Sequence, residues 1–192
     1  GTMIAKNRDW QPEQQVVRLI DNGRGFRYYG LFTVTEKGHL DVKAGVNEKG
    51  LTVVSATAGS IPRRERLQEQ RTKGINRRLL SRCATVDEAL SNLSIFRGPR
   101  IIMLADRKKI AYIEVGPQGK TSVTVRENGV LGHTNHFIDD QLLWANKKIS
   151  KSSETRYQRI MQLLNEQPRP FPPEQFIQFS EDKTAGANNS IW

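Results

Sequence analysis

Apolar positions along this chain fall into blocks of different period. Up to residue 57 they form short β-branched runs between turn residues. Thr2-Met3-Ile4-Ala5 has the character of a buried strand, and it stops on Lys6-Asn7-Arg8-Asp9-Trp10, which places a carboxylate and two cations at a sheet end. Residues 16–20 read as a second strand, Asp21-Asn22-Gly23 as a turn and residues 26–34 as a third strand. Residues 42–46 and 51–57 flank Asn47-Glu48-Lys49-Gly50 and predict a hairpin, whose second strand runs into Ala58-Gly59-Ser60, small enough for close backbone approach.

The period then changes. Residues 64–81 suit a helix interrupted by Gly74, and Thr85-Val86-Asp87-Glu88 is a capping box ahead of Ala89, Leu90 and Leu93. Residues 101–105, 110–115, 121–126 and 130–131 predict an antiparallel meander. Tyr157, Ile160, Met161 and Leu164 recur at helical spacing after Ser152 and Ser153 as cap candidates, with Arg156 at the edge of the apolar stripe, facing the sheet. Pro168, Pro170, Pro172 and Pro173 form a stiff connector to Phe176-Ile177. Strands, helices, strands and a helix in that order imply an α+β domain with largely antiparallel sheets, two of them stacked between helices.

Length and composition sharpen this picture. The 192 residues suit one domain, 1–192. The net charge of +10 is concentrated in residues 63–82, where eight basic residues face Glu65 and Glu69. No aromatic residue is interleaved there for base stacking, which favours a solvated basic helix over a nucleic-acid surface. The lone Cys83 and three scattered histidines offer no metal-ligand spacing, so neither a metal nor a cofactor is expected, and Cys83 reads as a small packing residue. No apolar run is long enough to span a bilayer. The chain starts inside an apparent strand without an initiator Met, and it stops where Asn189-Ser190-Ile191-Trp192 begins an apolar run. It therefore reads as a fragment clipped at both ends, with self-association and compartment left open.

Four stretches, taken in order, resemble the N-terminal-nucleophile hydrolases of the choloylglycine hydrolase and penicillin V acylase group and the related acyl-coenzyme A:6-aminopenicillanic acid acyltransferases. Lys6-Asn7-Arg8-Asp9-Trp10 resembles the group's Arg-Asn-x-Asp-Trp element, and Gly45-Val46-Asn47-Glu48-Lys49-Gly50-Leu51 its Gly-x-Asn-Glu-x-Gly-Leu turn. His133-Thr134-Asn135-His136-Phe137 is similar to its Thr-Asn stretch, and residues 153–159 to the Ser-x-x-Arg opening of a late helix. Asn189-Ser190-Ile191 is similar to a later strand of the acyltransferase branch.

The resemblance implies a four-layer αββα sandwich that cleaves a linear amide, or transfers its acyl group, through an N-terminal cysteine. It implies a small-molecule or peptide acyl amide as substrate. An α-amine of ordinary pKa ~7.7–8.0 serves as the base for such a thiol. The implied catalytic residues are Asp9, orienting that amine; Asn135 and the backbone N–H of Thr57, donating to the oxyanion; Arg156, favouring the thiolate; and Lys6. Arg8, Trp10 and Phe137 are the implied substrate contacts. Two departures stand out. Lys6 replaces the group's Arg and loses its bidentate fork. The nucleophile belongs on a strand preceding Gly1, and Thr2 stands on the wrong strand to replace it.

Plainer readings accompany each residue. Asn47 and Gly50 make a turn, Asn135 satisfies buried backbone, Arg156 pairs with an acid, Trp10 belongs to the core, and His133 and His136 are structural or exposed. The alternative function is a non-catalytic relative, or a basic domain that binds nucleic acid or an anionic surface through residues 63–82. The catalytic reading requires Asp9, Thr57, Asn135 and Arg156 to meet at one cleft with a partly apolar wall. A clipped fragment should also expose apolar surface along one sheet edge.

Overall fold

Seven strands pair in chain order into one antiparallel sheet in the computed structural model, which describes residues 1–8, 11–34 and 38–191. They are β1 (Gln15–Ile20), β2 (Tyr28–Val34), β3 (Leu40–Asn47), β4 (Thr52–Thr57), β5 (Arg100–Ala105), β6 (Ile110–Val115) and β7 (Thr121–Arg126). The excursion between β4 and β5 carries helices α1 (Arg63–Gln68), α2 (Ile75–Arg82) and α3 (Val86–Leu90), and helices α4 (Lys151–Glu166) and α5 (Pro173–Ser180) follow β7. The α+β class and the antiparallel pairing are as the hydrophobic pattern implies. All described strands join one continuous sheet, because each finds its partner in the strand before it. No helix among the described residues is long and apolar enough to cross a membrane.

One sheet face is packed. Phe32, Val42, Val53, Ile102, Leu104 and Ile113 bury against Ile75, Leu79 and Leu80 of α2 and against Val86 and Ala89 of α3. The β3–β4 turn does more than reverse the chain. Asn47 accepts from the Lys49 and Leu51 N–H groups (3.1 and 3.0 Å) and donates to the Leu80 and Cys83 carbonyls (2.9 and 2.8 Å), tying the turn to the end of α2. Thr85 caps α3 through the Glu88 N–H (3.1 Å), while the Glu88 carboxylate reaches back to Ala84 N. Cys83 packs half-buried against this core, and burial pushes its thiol pKa up.

The other face is covered fully only at one end, where Ala56 and Ile101 meet Ala58, Ile61, Phe137, Leu142 and Ala145. Phe137 is 0% exposed at this junction. Its ring fills the space between sheet and loop, which corrects its assignment as a substrate contact. At the opposite side, edge strand β1 leaves Val17 and Leu19 66% and 51% exposed.

Several expected elements differ. Residues 2–5 form no ladder; exposed and half-buried positions alternate as in an extended chain, but side chains supply the anchors. The Thr2 hydroxyl donates to the Asp106 carbonyl, and the Asn7 amide donates to the carbonyls of Ser180 and Ile191 (3.0 and 2.8 Å). Residues 130–131 stay outside the meander, and residues 189–190 turn rather than begin a strand, with Ser190 Oγ bonded to Gly186 O (2.8 Å). Helix α4 starts two to three residues earlier than expected, because its cap is Ser150, whose side chain accepts the Ser153 N–H (3.2 Å).

Glu114, fully buried on β6, organises the loop that follows the sheet. Its carboxylate accepts from Ile138 N (2.6 Å), Asp139 N (3.2 Å) and His133 Nε2 (2.7 Å). Removing it strands several buried donors at once. Glu114→Ala should therefore cost about 3–5 kcal/mol of stability, while Val125→Ala at an exposed edge position stays within about 0.5 kcal/mol. Urea unfolding midpoints compare the two, and a Glu114→Ala protein as stable as the parent would contradict the assignment.

Candidate active site

The β3–β4 ladder spans only Ala44–Val46 against Thr52–Val54. A register shift at Leu31/Phe32 skips Lys43 in the pairing of β2 with β3, and beyond that bulge β3 and β4 part. Side chains stitch the gap. Ser55 Oγ donates to the Lys43 carbonyl (3.1 Å), and Asn76 Nδ2, from the first turn of α2, donates to the Val42 carbonyl (2.9 Å) and to Ser55 Oγ (2.8 Å). Into the same opening Lys6 sends its ammonium, donating to the Ser55 carbonyl (3.0 Å).

At the end of β4 a hydrogen-bond chain joins three residues far apart in sequence. An Arg156 terminal N–H donates to Asn135 Oδ1 (3.1 Å), and Asn135 Nδ2 donates to the Thr57 carbonyl (3.0 Å). The cation fixes which way the amide points and withdraws electron density from its carbonyl, which makes its N–H groups stronger donors. Nδ2 carries two hydrogens, and the Thr57 carbonyl takes one of them. The interaction seen for Thr57 is thus through its carbonyl, as an orienting acceptor for Asn135.

The loop holding Asn135 is fixed from both sides. Its N–H donates to Ser153 Oγ (3.0 Å), and its carbonyl accepts from Ser60 N (3.1 Å). Thr134 and His136 bond to Ser153 as well. Gly59 permits the close approach, since a Cβ there would lie 3.3 Å from Asn135 Cβ. His133 and His136 are structural: the first bonds Glu114, and burial, with His133 nearby, holds the second below the ordinary imidazole pKa. Arg156 also donates from Nε to Ser152 Oγ (3.2 Å), so the guanidinium is braced by its own helix.

Lys6, Thr57, Asn135 and Arg156 line one cavity of ≈ 2120 Å³ between the open sheet face and helices α4 and α5. Val54, Ile101, Met103, Ile160, Leu164 and Phe179 give it an apolar wall. Its size exceeds the ~300–1,000 Å³ of a single small-molecule pocket, so it offers room for more than one subsite. Arg8 also lines it, but spends N–H groups on Gln15 Oε1 (2.8 Å) and Thr33 Oγ1 (2.6 Å). Asp9 and Trp10 lie outside the described residues. Among the described residues, no group of three His, Cys, Asp or Glu side chains is placed to hold a metal.

Three structural contributors escaped the sequence reading: Asn76, Ser55 and Glu114. Asn76 interrupts an apolar helix face, and Glu114 stands alone in the apolar strand Ile110-Ala111-Tyr112-Ile113-Glu114-Val115, which were the available signals. Ser55 had none.

By its family the chain is of the N-terminal-nucleophile class. The model of the acyl-coenzyme A:6-aminopenicillanic acid acyl-transferase family matches residues 1–192, and the chain belongs to that family. Among solved structures it is similar to penicillin V acylase from Agrobacterium tumefaciens, at 18% identity over 80% of this chain and 53% of that one, with a TM-score of 0.49. It is also similar to a variant of conjugated bile acid hydrolase from Clostridium perfringens, at 16% identity over 53% of this chain and 36% of that one, with a TM-score of 0.39. These matches span from about a third to about half of the solved chains' length. No curated protein matches the sequence.

Burial, reinforced by Arg8, Arg156 and Lys43, lowers the Lys6 pKa from its ordinary 10.5 to about 8. The folded chain therefore releases this proton before the unfolded chain does. Stability should rise as pH increases from about 8 towards 10.5, by at most about 3 kcal/mol, and stay unaffected by Lys6 below that window, where both states hold the proton. In Lys6→Met this rise should disappear. Urea midpoints at several pH values measure it, and identical pH slopes in the two proteins would rule the burial effect out.

Proposed function

We propose that this chain is the scaffold of a cysteine-dependent acyl-transfer enzyme, which cleaves a linear amide and passes the acyl group to water or to an amine. The Arg156–Asn135–Thr57 chain at one end of a partly apolar cavity is the observation that carries this reading. Family membership supports the reaction class. The nucleophile is a cysteine at the mature N-terminus of a longer form, preceding Gly1.

Its thiol passes a proton to its own α-amine, which Asp9 orients, and the sulfur attacks the acyl carbon. The carbonyl oxygen gains the negative charge and takes the remaining Asn135 Nδ2 hydrogen, with the Thr57 backbone N–H as second donor. The C–N bond then breaks as the α-ammonium returns its proton to the leaving amine. Water or an acceptor amine attacks the thioester, and the thiol is regenerated. Lys6 and Arg156 place positive charge beside this centre, which favours the thiolate. Arg8 and Trp10 flank the substrate.

The parent gene should encode a Cys on the strand before Gly1, and its product should hydrolyse or transfer acyl amides. In that protein Asn135→Ala should lower kcat about 10²–10³-fold with little change in KM, as loss of an oxyanion donor does. A parent lacking Cys, Ser or Thr on that strand, or an Asn135→Ala enzyme of full activity, would defeat the proposal.

A further inference from the structure

Nine Lys and Arg side chains line the cavity against two acids, Asp41 and Glu127. Four of the nine, Lys6, Arg8, Lys43 and Arg156, lie around the centre described above. Three arginines do not take part in it: Arg66 of α1, Arg71 of the α1–α2 connection and Arg100 at the start of β5.

Backbone geometry gathers these three around one turn. Arg100 donates from Nε to the Gly98 carbonyl and from a terminal nitrogen to the Arg97 carbonyl, each at 3.1 Å. Arg71 lies along Gly98, whose φ of +80° leaves no room for a side chain: a Cβ there would stand 2.4 Å from Arg71 Cγ. Thr72 N, one residue on, donates to the Arg97 carbonyl (3.2 Å) and holds the connection in place. Arg66 is braced through Nε by the Ile61 carbonyl (3.0 Å). The bracing acceptors are neutral carbonyls, and each guanidinium keeps N–H groups beyond those bonds.

Among the described residues, none of the three has a carboxylate within 4.0 Å. Arg100 is largely removed from water, and its pKa falls to about 10 through that burial and the repulsion of Arg71, which Asp41, outside salt-bridge contact, offsets only in part. Arg66 is lowered by burial and again by Arg71. Arg66 and Arg100, held by backbone carbonyls, are both repelled by Arg71, and an anion among the three would turn that cost into attraction.

We infer that Arg66, Arg71 and Arg100 form an oxyanion subsite, adjoining but separate from the Asn135 centre, for a multiply charged group of phosphate type. A single carboxylate is satisfied by one bidentate arginine, whereas three guanidinia with no carboxylate in salt-bridge contact match a dianion with several acceptor oxygens. The subsite adjoins the Asn135 centre because Arg100 pairs with Thr57 across β4 and β5. It lines the cavity, with Arg71 at the solvent-exposed side, and its ligand is a small phosphate or a phosphoryl group on a small molecule. This assignment does not depend on the acyl-transfer reading, since binding by the 192-residue chain tests it without turnover.

Calorimetric titration and thermal melts with orthophosphate, glycerol phosphate and acetate provide the test. Either phosphate should bind and raise the melting temperature, with acetate at least about tenfold weaker. Tighter binding of glycerol phosphate assigns the site to a phosphoryl group on a substrate, and tighter binding of orthophosphate to the free ion. Arg100→Met and Arg71→Met should each weaken the phosphate by about tenfold or more, whereas Arg18→Met, exposed on β1 outside the cavity, should not. Arg71 is itself exposed, so its variant keeps the test decisive should Arg100→Met fail to fold. Phosphate binding unchanged in Arg71→Met, acetate binding equal to phosphate, or binding of duplex DNA without either phosphate would each overturn the inference.

Discussion

A carboxylate wholly shielded from solvent decides the shape of the functional end of this molecule. Glu114 sits one residue from the end of an otherwise apolar strand, and a buried carboxylate is tolerated only where donors surround it. Its donors come from one short loop: the imidazole of His133 and the backbone N–H groups of Ile138 and Asp139. Satisfying Glu114 thus closes residues 133–139 against the sheet end. Asn135 rides on that loop, and Phe137 seals it into the apolar cluster with Ile101 and Leu142. Asn135's position follows from an electrostatic requirement one strand away.

The second constraint is the parting of β3 and β4. A ladder that stops at Ala44 and Val54 leaves carbonyls near Lys43 and Ser55 for side chains to claim, and Ser55, Asn76 and Lys6 claim them. The opening admits a lysine ammonium to a partly desolvated position, near Arg8, Lys43 and Arg156. Such an accumulation of positive charge costs stability in the folded chain. It also gives a strongly cationic setting to any thiolate or anionic group that enters the cavity.

Much of this was legible because local chemistry and tertiary demand agree. The Asn47–Gly50 turn, the α3 capping box, the apolar stripe of α4 and the small residues at Ala58-Gly59-Ser60 all serve where their patterns place them. Thr57, Asn135 and Arg156, far apart in sequence, are joined by hydrogen bonds, with Thr57 taking part through its carbonyl. The failures share a cause. Residues 2–5 have strand composition but pair with none of the described strands, and the Thr2 hydroxyl and the Lys6 ammonium make the anchors that a ladder would have made. Phe137 carries an aromatic ring that suits a substrate wall equally well, and only the packing around Ala58 and Ala145 shows it to be core. Glu114, Asn76 and Ser55 act through partners more than ten residues away, which no local period encodes.

The central claim is that Asn135, held by Arg156 and Thr57, meets the negative oxygen of a tetrahedral intermediate. A crystal structure of the full-length parent with an aldehyde analogue bound to its nucleophile would test this most directly. The account predicts that the oxygen of the adduct lies about 2.7–3.1 Å from Asn135 Nδ2, with the Arg156 to Asn135 bond retained. An adduct whose oxygen points away from Asn135, with that amide still bonded only to the Thr57 carbonyl, would contradict it.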